Sequence, residues 1–311
     1  MRAVKRSADG VTVFEAPEPS GPGVTVHVRA ASICGSDLKL LEFGPSEHII
    51  GHEIAGVLDD GTPVAVEPKV PCRECSWCRS GNEQLCDQIV MSMLGLTCDG
   101  GMAERMVVDE RCLVRLQSST PVADSSLVEP LSVGVHGLHR AGLEAGQKVA
   151  VVGAGAIGLC AAVAALHLGC EVDVAARHET QRKAVEAIGA DQDPEGRYEI
   201  VVDAAGTESS HLRSSELCAK GGTLLLLGSY FGDLVLPGLP ITGNEVSVVP
   251  AFMCGTHAGR REIETAAEVL ARRPEVAGAL ITHRFPLDEA PEAFRVAADR
   301  AAGAIKVVLE P

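Results

Sequence analysis

Residues 149–170, VAVVGAGAIGLCAAVAALHLGC, restrict the possible folds of this chain more than any other stretch. The run is long and nearly uncharged, and by length alone it could cross a bilayer. It opens, however, on a short β-branched segment and carries four glycines, three of them spaced G-x-G-x-x-G. That pattern reads as a buried strand, a tight turn and a helix. Gly153 permits the turn, Gly155 lets a pyrophosphate approach the backbone, and Gly158 lets helix and strand pack closely. Ala156 and Ile157 open the helix between the last two glycines, and its N-terminus would face the phosphates.

The surroundings support this. After KVAVVGAG come AIGLCAAVAALHLG, CEVDVAA, ETQRKAVEAIGA, YEIVVDAAG, HLRSSELCAKGG and TLLLLGSY, read in turn as strand, helix, strand, helix, strand, helix and strand. Such alternation builds βαβ units on a doubly wound parallel sheet, so the fold class is α/β. The first 130 residues have a different texture. Short β-like runs such as VTVHVRAASI and TPVAVEP alternate with Gly/Pro turns, as in a compact, mainly β domain. After residue 252 come two helical segments, REIETAAEVLARR and LDEAPEAFRVAADR, and a final strand, AIKVVLE. That is too little for a third domain. The expected division is 1–130 with 253–311 as one domain, and 131–252 as a dinucleotide-binding domain.

The net charge of −15 argues against nucleic acid or an anionic membrane as a partner. The N-terminal stretch lacks the apolar core of a secretory signal. Eleven cysteines in such a chain point to a reducing cytoplasm and to metal ligation or burial rather than disulfides. Four of them, Cys72, Cys75, Cys78 and Cys86, fall at C-x2-C-x2-C-x7-C in a lobe at about 71–87, the pattern of a tetrahedral zinc site. Four thiolates leave no open position, which marks a staple rather than a reaction centre. Cys98, Cys112, Cys160, Cys170, Cys218 and Cys254 are expected to be small core residues.

A second candidate set is scattered: Cys34 in ICGSDLKL, His52 and Glu53 in IIGHEIAG, and Glu129 in LVEPLSVGVHGL. One cysteine, one histidine and one carboxylate from separate segments can hold zinc with a vacant fourth position for water or substrate. For the coenzyme, an NAD enzyme usually ends its second strand on Asp or Glu to bind the ribose 2′-hydroxyl. Here the strand tip is read as Ala176, followed by Arg177 and His178, with Arg182 one turn on. Cations without a carboxylate favour a 2′-phosphate, hence NADP over NAD. Asp173 would be the acid if the register were different.

The segments CGSDLKL, GHEIAG, VAVEPKVPCRECSWCRSGNEQLC, EPLSVGVHGL, VVGAGAIGL and ITHRFPLDEAPEAFRVAADRAAGAIKVVLE follow one another as in the zinc-dependent medium-chain alcohol dehydrogenases. The chain most resembles the branch of polyol (sorbitol-type), butanediol and threonine dehydrogenases, over nearly its whole length. The resemblance implies a GroES-like catalytic domain built from both termini around a Rossmann domain. It implies two zinc ions, one catalytic on Cys34, His52 and Glu129, one structural on the cysteine lobe. It also implies Glu53 as an exchanging ligand, Asp37 behind His52, Ser36 at the substrate oxygen, and Lys39 where many relatives carry the histidine of a proton relay. The implied reaction interconverts a secondary alcohol, such as a polyol, sugar derivative or amino alcohol, and its ketone by hydride transfer with NADP(H). Two alternatives remain: a biosynthetic NADPH-dependent ketone reductase of the same fold, and a zinc- and dinucleotide-binding sensor without turnover. Relatives pair through the Rossmann edge, so ITGNEVSVVPAF is expected to join a homodimer or homotetramer. Only 17 residues separate Cys34 from His52, shorter than the family usually has, which implies an altered pocket.

Overall fold

The computed structural model describes the chain apart from Ser229, Phe231 and the side chain of Arg300. It forms two compact units: Met1–Glu129 with Ala258–Pro311, and Pro130–His257.

The first unit opens with the hairpin β1 (Arg2–Ser7) and β2 (Gly10–Glu15). There follow β3 (Val24–Ser32), a short helix α1 (Gly35–Leu40), β4 (Glu53–Val57), β5 (Pro63–Val66), the one-turn helix α2 (Ser76–Arg79), β6 (Arg105–Val108) and β7 (Leu113–Arg115). Along β3, Val26, Val28 and Ala30 are buried while Arg29 between the last two is exposed, the alternation of a strand with one solvated face. The pattern ends at Ala31 and Ser32, which are buried in succession. There the strand is flanked on both sides, by β4 and by the last strand of the chain.

The second unit begins inside helix α3 (Val128–Arg140). Its strands are β8 (Lys148–Val152), β9 (Glu171–Ala175), β10 (Asp191–Gln192), β11 (Tyr198–Asp203), β12 (Cys218–Leu226) and β13 (Ser247–Pro250). Between them lie α4 (Ala156–His167), α5 (Glu179–Ala187), α6 (Glu208–Leu217) and α7 (Gly238–Thr242). All six strands are parallel, in the order β10-β9-β8-β11-β12-β13. This is the doubly wound Rossmann arrangement, and its order reverses between β8 and β11, where such sheets bind ligands. Helix α4 is apolar all round, as a helix buried on several sides must be. Its small residues let α3 come close: a side chain at Gly134 would stand 2.8 Å from the Ala161 nitrogen.

One element differs from expectation. HLRSSELCAKGG was read as a helix closed by its glycines, but α6 ends at Leu217 and Cys218 already belongs to β12. Tyr198 pairs with Cys218, and the register shifts before Ile200 meets Thr223, with Gly221 at φ +70° in the interruption. Pairing with β11 overrides the local helical pattern here.

The chain then supplies α8 (Glu262–Arg272), α9 (Glu275–Leu280), β14 (Ile281–Pro286), α10 (Ala290–Ala298) and β15 (Lys306–Glu310) to the first unit. Its larger sheet runs β14-β15-β3-β4-β5-β7, with β6 also on β3. Val26, Val28, Ile54, Val64, Met102, Phe294 and Leu309 belong to its buried core. No helix among the described residues is long and apolar enough to cross a membrane.

Candidate metal centres and coenzyme cradle

Antiparallel register assembles the scattered set. Ser32 of β3 lies opposite Glu53 of β4, so Cys34, just past one strand, and His52, just before the other, reach the same end of the sheet. The turn into His52 needs Gly51, which is at φ +94° with its open side against Met102. One donor atom each from Cys34, His52 and Glu53 lies within 4.8 Å of the others. Cys34 also caps α1, whose Asp37 accepts a hydrogen bond from the Cys34 nitrogen at 2.9 Å through Oδ2. The other Asp37 oxygen lies 3.3 Å from His52 Nδ1, and both residues are buried. Ser36 Oγ stands 3.5 Å from His52 Nε2. Burial opposes charge on the His52 ring, but Asp37 and Cys34 outweigh it and hold the ring well above its ordinary value. A soft thiol, an imidazole backed by a carboxylate and a buried carboxylate make a donor set that suits zinc.

Two carboxylates lie near Cys34 and His52. Glu53, expected to exchange, is the carboxylate grouped with Cys34 and His52, whereas Glu129 does not join that set. Glu129 sits in the first turn of α3, buried and within the same field. Burial raises its carboxyl to about 7, an effect that His52 partly offsets. Lys39 is turned to Glu42, donating to its oxygens at 2.8 and 2.6 Å near the surface. The reading of the sequence missed Lys306, whose Nζ donates to both Glu53 oxygens at 2.7 and 2.8 Å. Its signal was a single lysine inside the apolar run AIKVVLE.

The four lobe cysteines also converge, with one sulfur each within 4.8 Å of the rest. Backbone amides point at the sulfurs: Cys72 N to Cys86 Sγ at 3.3 Å, Cys75 N to Cys72 Sγ at 3.4 Å and Gln88 N to Cys86 Sγ at 3.4 Å. Arg73 adopts φ 64° in this knuckle. Amides of Cys78 and Asp87 lower the Cys75 thiol to about 6, which favours a thiolate. Of the six other cysteines, Cys112, Cys160, Cys170, Cys218 and Cys254 are buried and Cys98 is partly exposed.

In the second unit Gly153 takes φ +110° with its open side on Ala205, and Gly158 packs onto the Gly153 carbonyl. Beside Gly155 a methyl group would meet nothing within 4 Å, and Ala156 and Ile157 begin α4 there. Strand β9 ends at Ala175, followed by buried Ala176. Arg177 and His178 donate their backbone N–H groups to Gln181 Oε1, and His178 caps α5. The Arg177 guanidinium reaches Ser209 Oγ at 3.3 Å, a partner with no signal in the sequence pattern. Arg182 is exposed on the first turns of α5. Asp173 lies in mid-strand, and its Oδ2 accepts from Tyr198 Oη at 2.5 Å, at the start of β11. It is thus engaged within the sheet, two residues before the strand's last residue, Ala175.

Comparison with known proteins agrees with this geometry. Residues 21–118 match the family described as alcohol dehydrogenase GroES-like domain. L-galactonate-5-dehydrogenase of Escherichia coli (strain K12) is 27% identical over 310 residues, covering 90% of this chain and 89% of that protein. The crystal structure of galactitol-1-phosphate dehydrogenase from Escherichia coli superposes with a TM-score of 0.88 at 28% identity, covering 100% of both chains. Residues 21–118 thus match that family's domain, and along nearly its whole length the chain is similar to zinc-type alcohol and polyol dehydrogenases. It is therefore an oxidoreductase. Another medium-chain neighbour, a zinc-binding dehydrogenase from Sinorhizobium meliloti 1021 bound to NADP, has a TM-score of 0.85 at 27% identity, covering 100% of this chain and 99% of that one. Two of the candidate donor sets among the described residues differ in kind: four cysteines in one, and a cysteine, a histidine and a carboxylate in the other. The matched family segment contains Cys34, His52 and Glu53 as well as all four lobe cysteines.

Proposed function

We propose that this dehydrogenase interconverts a secondary hydroxyl of a polyol, sugar-derived or amino alcohol and the corresponding ketone, using NADP(H). The observation that carries the reading is the meeting of Cys34, His52 and Glu53, with Glu129 buried beside them. These residues would hold the catalytic zinc, and the four lobe cysteines a structural one. Bound there, the zinc supplies Lewis acidity to the alcohol oxygen, and the nicotinamide accepts the hydride.

The chain's own residues do the rest. Asp37 fixes the His52 ring from behind, so that Nε2 faces the donor set. Ser36, next to that nitrogen, relays the hydroxyl proton as the alcohol ionises, accepting it and passing its own on towards the coenzyme ribose and solvent. Lys39, an ammonium paired with Glu42 at the surface, could take up that proton only after releasing one of its own to solvent. In the second unit, Gly153, Gly155, Ala156, Ile157 and Gly158 cradle the pyrophosphate. Ala176, Arg177, His178 and Arg182 receive the 2′-phosphate. The engagement of Asp173 with Tyr198, and Ala175 rather than a carboxylate at the strand tip, support NADP over NAD. The same arginines favour a second reading, in which the enzyme works as an NADPH-dependent ketone reductase.

The edge strand β13 and the exposed Leu239 and Phe252 support self-association, as a homodimer or homotetramer. Eleven free cysteines suit a reducing cytoplasm. The test is titration with NADP and NAD in parallel, followed by a polyol and ketone screen with whichever binds. NADP is expected to bind more tightly, and Cys34→Ser should abolish turnover yet keep dinucleotide binding. A clear preference for NAD would overturn the roles given to Ala176, Arg177 and Arg182. No turnover with any substrate would favour a zinc- and dinucleotide-binding sensor.

A further inference from the structure

Glu53 is claimed from two sides. Its carboxylate belongs to the three-donor set with Cys34 and His52, and both its oxygens also accept from Lys306 Nζ. The same ammonium donates to the carbonyl of Ile33, the residue before Cys34, at 3.2 Å. Lys306 is 2% exposed and Glu53 is fully buried. The arrangement follows from the sheet. Val308 of β15 lies opposite Ser32 of β3, and Ser32 lies opposite Glu53 of β4. Lys306, two residues before Val308, thus reaches past the end of β3 to the first residue of β4.

A buried ammonium is costly unless a carboxylate faces it, and the pair is strong because no water competes. A carboxylate held this way cannot give both oxygens fully to a metal. We propose that Lys306 is a positioning residue that keeps Glu53 a labile ligand, shared between the ammonium and the catalytic metal, so that a substrate oxygen can displace it. This rests on the zinc reading of Cys34, His52 and Glu53 given above. Without the ammonium, Glu53 would become a permanent ligand, binding the metal more firmly and closing the position that the alcohol must take.

The direction of the effect separates this from a structural role. A lysine that only props up the site would, when removed, let zinc escape faster. In the proposal, Lys306→Met makes the escape slower. Zinc-loaded protein is mixed with a chromogenic chelator and release is followed in time, Cys34→Ser identifying the phase that belongs to the catalytic site. Lys306→Met is expected to slow that phase by about tenfold, the lower end of what outer partners contribute at metal sites. Substrate KM should rise while NADP(H) affinity stays unchanged, and Lys306→Arg should restore release close to the wild-type rate. Release at the wild-type rate or faster from folded Lys306→Met overturns the proposal. If that variant does not fold, Lys306→Gln, a neutral donor with a shorter reach, takes its place: slower release supports the proposal and equal or faster release overturns it. If wild type holds only the zinc of the cysteine lobe and Cys34→Ser leaves the metal content unchanged, the zinc reading itself fails, and the proposal with it.

Discussion

Two glycines of one motif should differ in stability, though not in loss of coenzyme, on receiving the same added methyl group. At Gly158 a Cβ would lie 1.8 Å from the Gly153 carbonyl oxygen and 3.2 Å from the Ala204 Cβ. The turn would have to retreat until the first separation exceeded 3.0 Å, the shortest that real Cβ atoms show. It has little room to do so, because the open side of Gly153 already stands 2.9 Å from the Ala205 Cβ and 3.0 Å from its nitrogen. Overpacking of this kind costs roughly 1–3 kcal/mol. Alanine's better helix propensity returns at most about 1 kcal/mol. Gly158→Ala should therefore lose about 1–2 kcal/mol, or about 3–6 °C in melting temperature. The displaced turn should weaken NADPH binding by about 10- to 100-fold, since small misplacements at a site are expensive. At Gly155 the methyl group meets nothing within 4 Å and the residue is extended, at φ −79° and ψ −177°. Gly155→Ala should keep its stability within about 0.5 kcal/mol. It should still lose coenzyme, because the methyl group occupies the space a pyrophosphate needs. Thermal denaturation by circular dichroism and NADPH fluorescence titration measure both quantities. A Gly158→Ala protein that melts and binds like wild type, or a Gly155→Ala protein that binds normally, would refute the geometry of the cradle.

Arg177→Ala should weaken NADP about tenfold, from the loss of one charge-assisted contact at an exposed site, and leave NAD unchanged, as calorimetry can show. Tyr198→Phe should cost about 1 kcal/mol of stability by removing the partner of Asp173. Coenzyme preference should not move, because Asp173 stays in mid-strand, short of the strand tip, and a shift to NAD would count against that placement. Cys78→Ser should release one zinc per chain and lower the melting temperature well before it alters the chemistry of protein that remains folded. In zinc-stripped protein, zinc affinity at the Cys34 site should rise from about pH 6 to about pH 8. Burial holds the Glu129 carboxyl protonated below about 7, so the proton competes with the metal on the acid side and is lost above it. His52 and Cys34 add to the rise, so the part due to Glu129 is read from Glu129→Gln: an unchanged pH dependence in that variant would remove Glu129 from the site.

Much of this protein is written in local pattern. G-A-G-A-I-G after a β-branched run specifies strand, turn and helix because each glycine answers a backbone constraint a few residues away. The spacing C-x2-C-x2-C-x7-C likewise commits four thiols to one lobe, since a short loop keeps them within reach of one another. The family and the α/β class followed from those signals. The sequence reading took Glu129 as the third ligand and Glu53 as the exchanging one. That Glu53 lies within 4.8 Å of Cys34 and His52 depends on the antiparallel register of β3 and β4, which local pattern does not show. Nor could it show that Lys306 holds Glu53 across 253 residues of chain, or that Tyr198 engages Asp173. The strand that replaces the end of the predicted helix at Cys218 belongs with these, since its pairing partner is β11. Sequence determined what depends on neighbours along the chain: glycine turns, ligand-rich loops and the alternation of strand and helix. Tertiary structure decided what depends on which strands lie side by side, because register alone brings a buried ammonium, a carboxylate and a thiol from distant segments to one point.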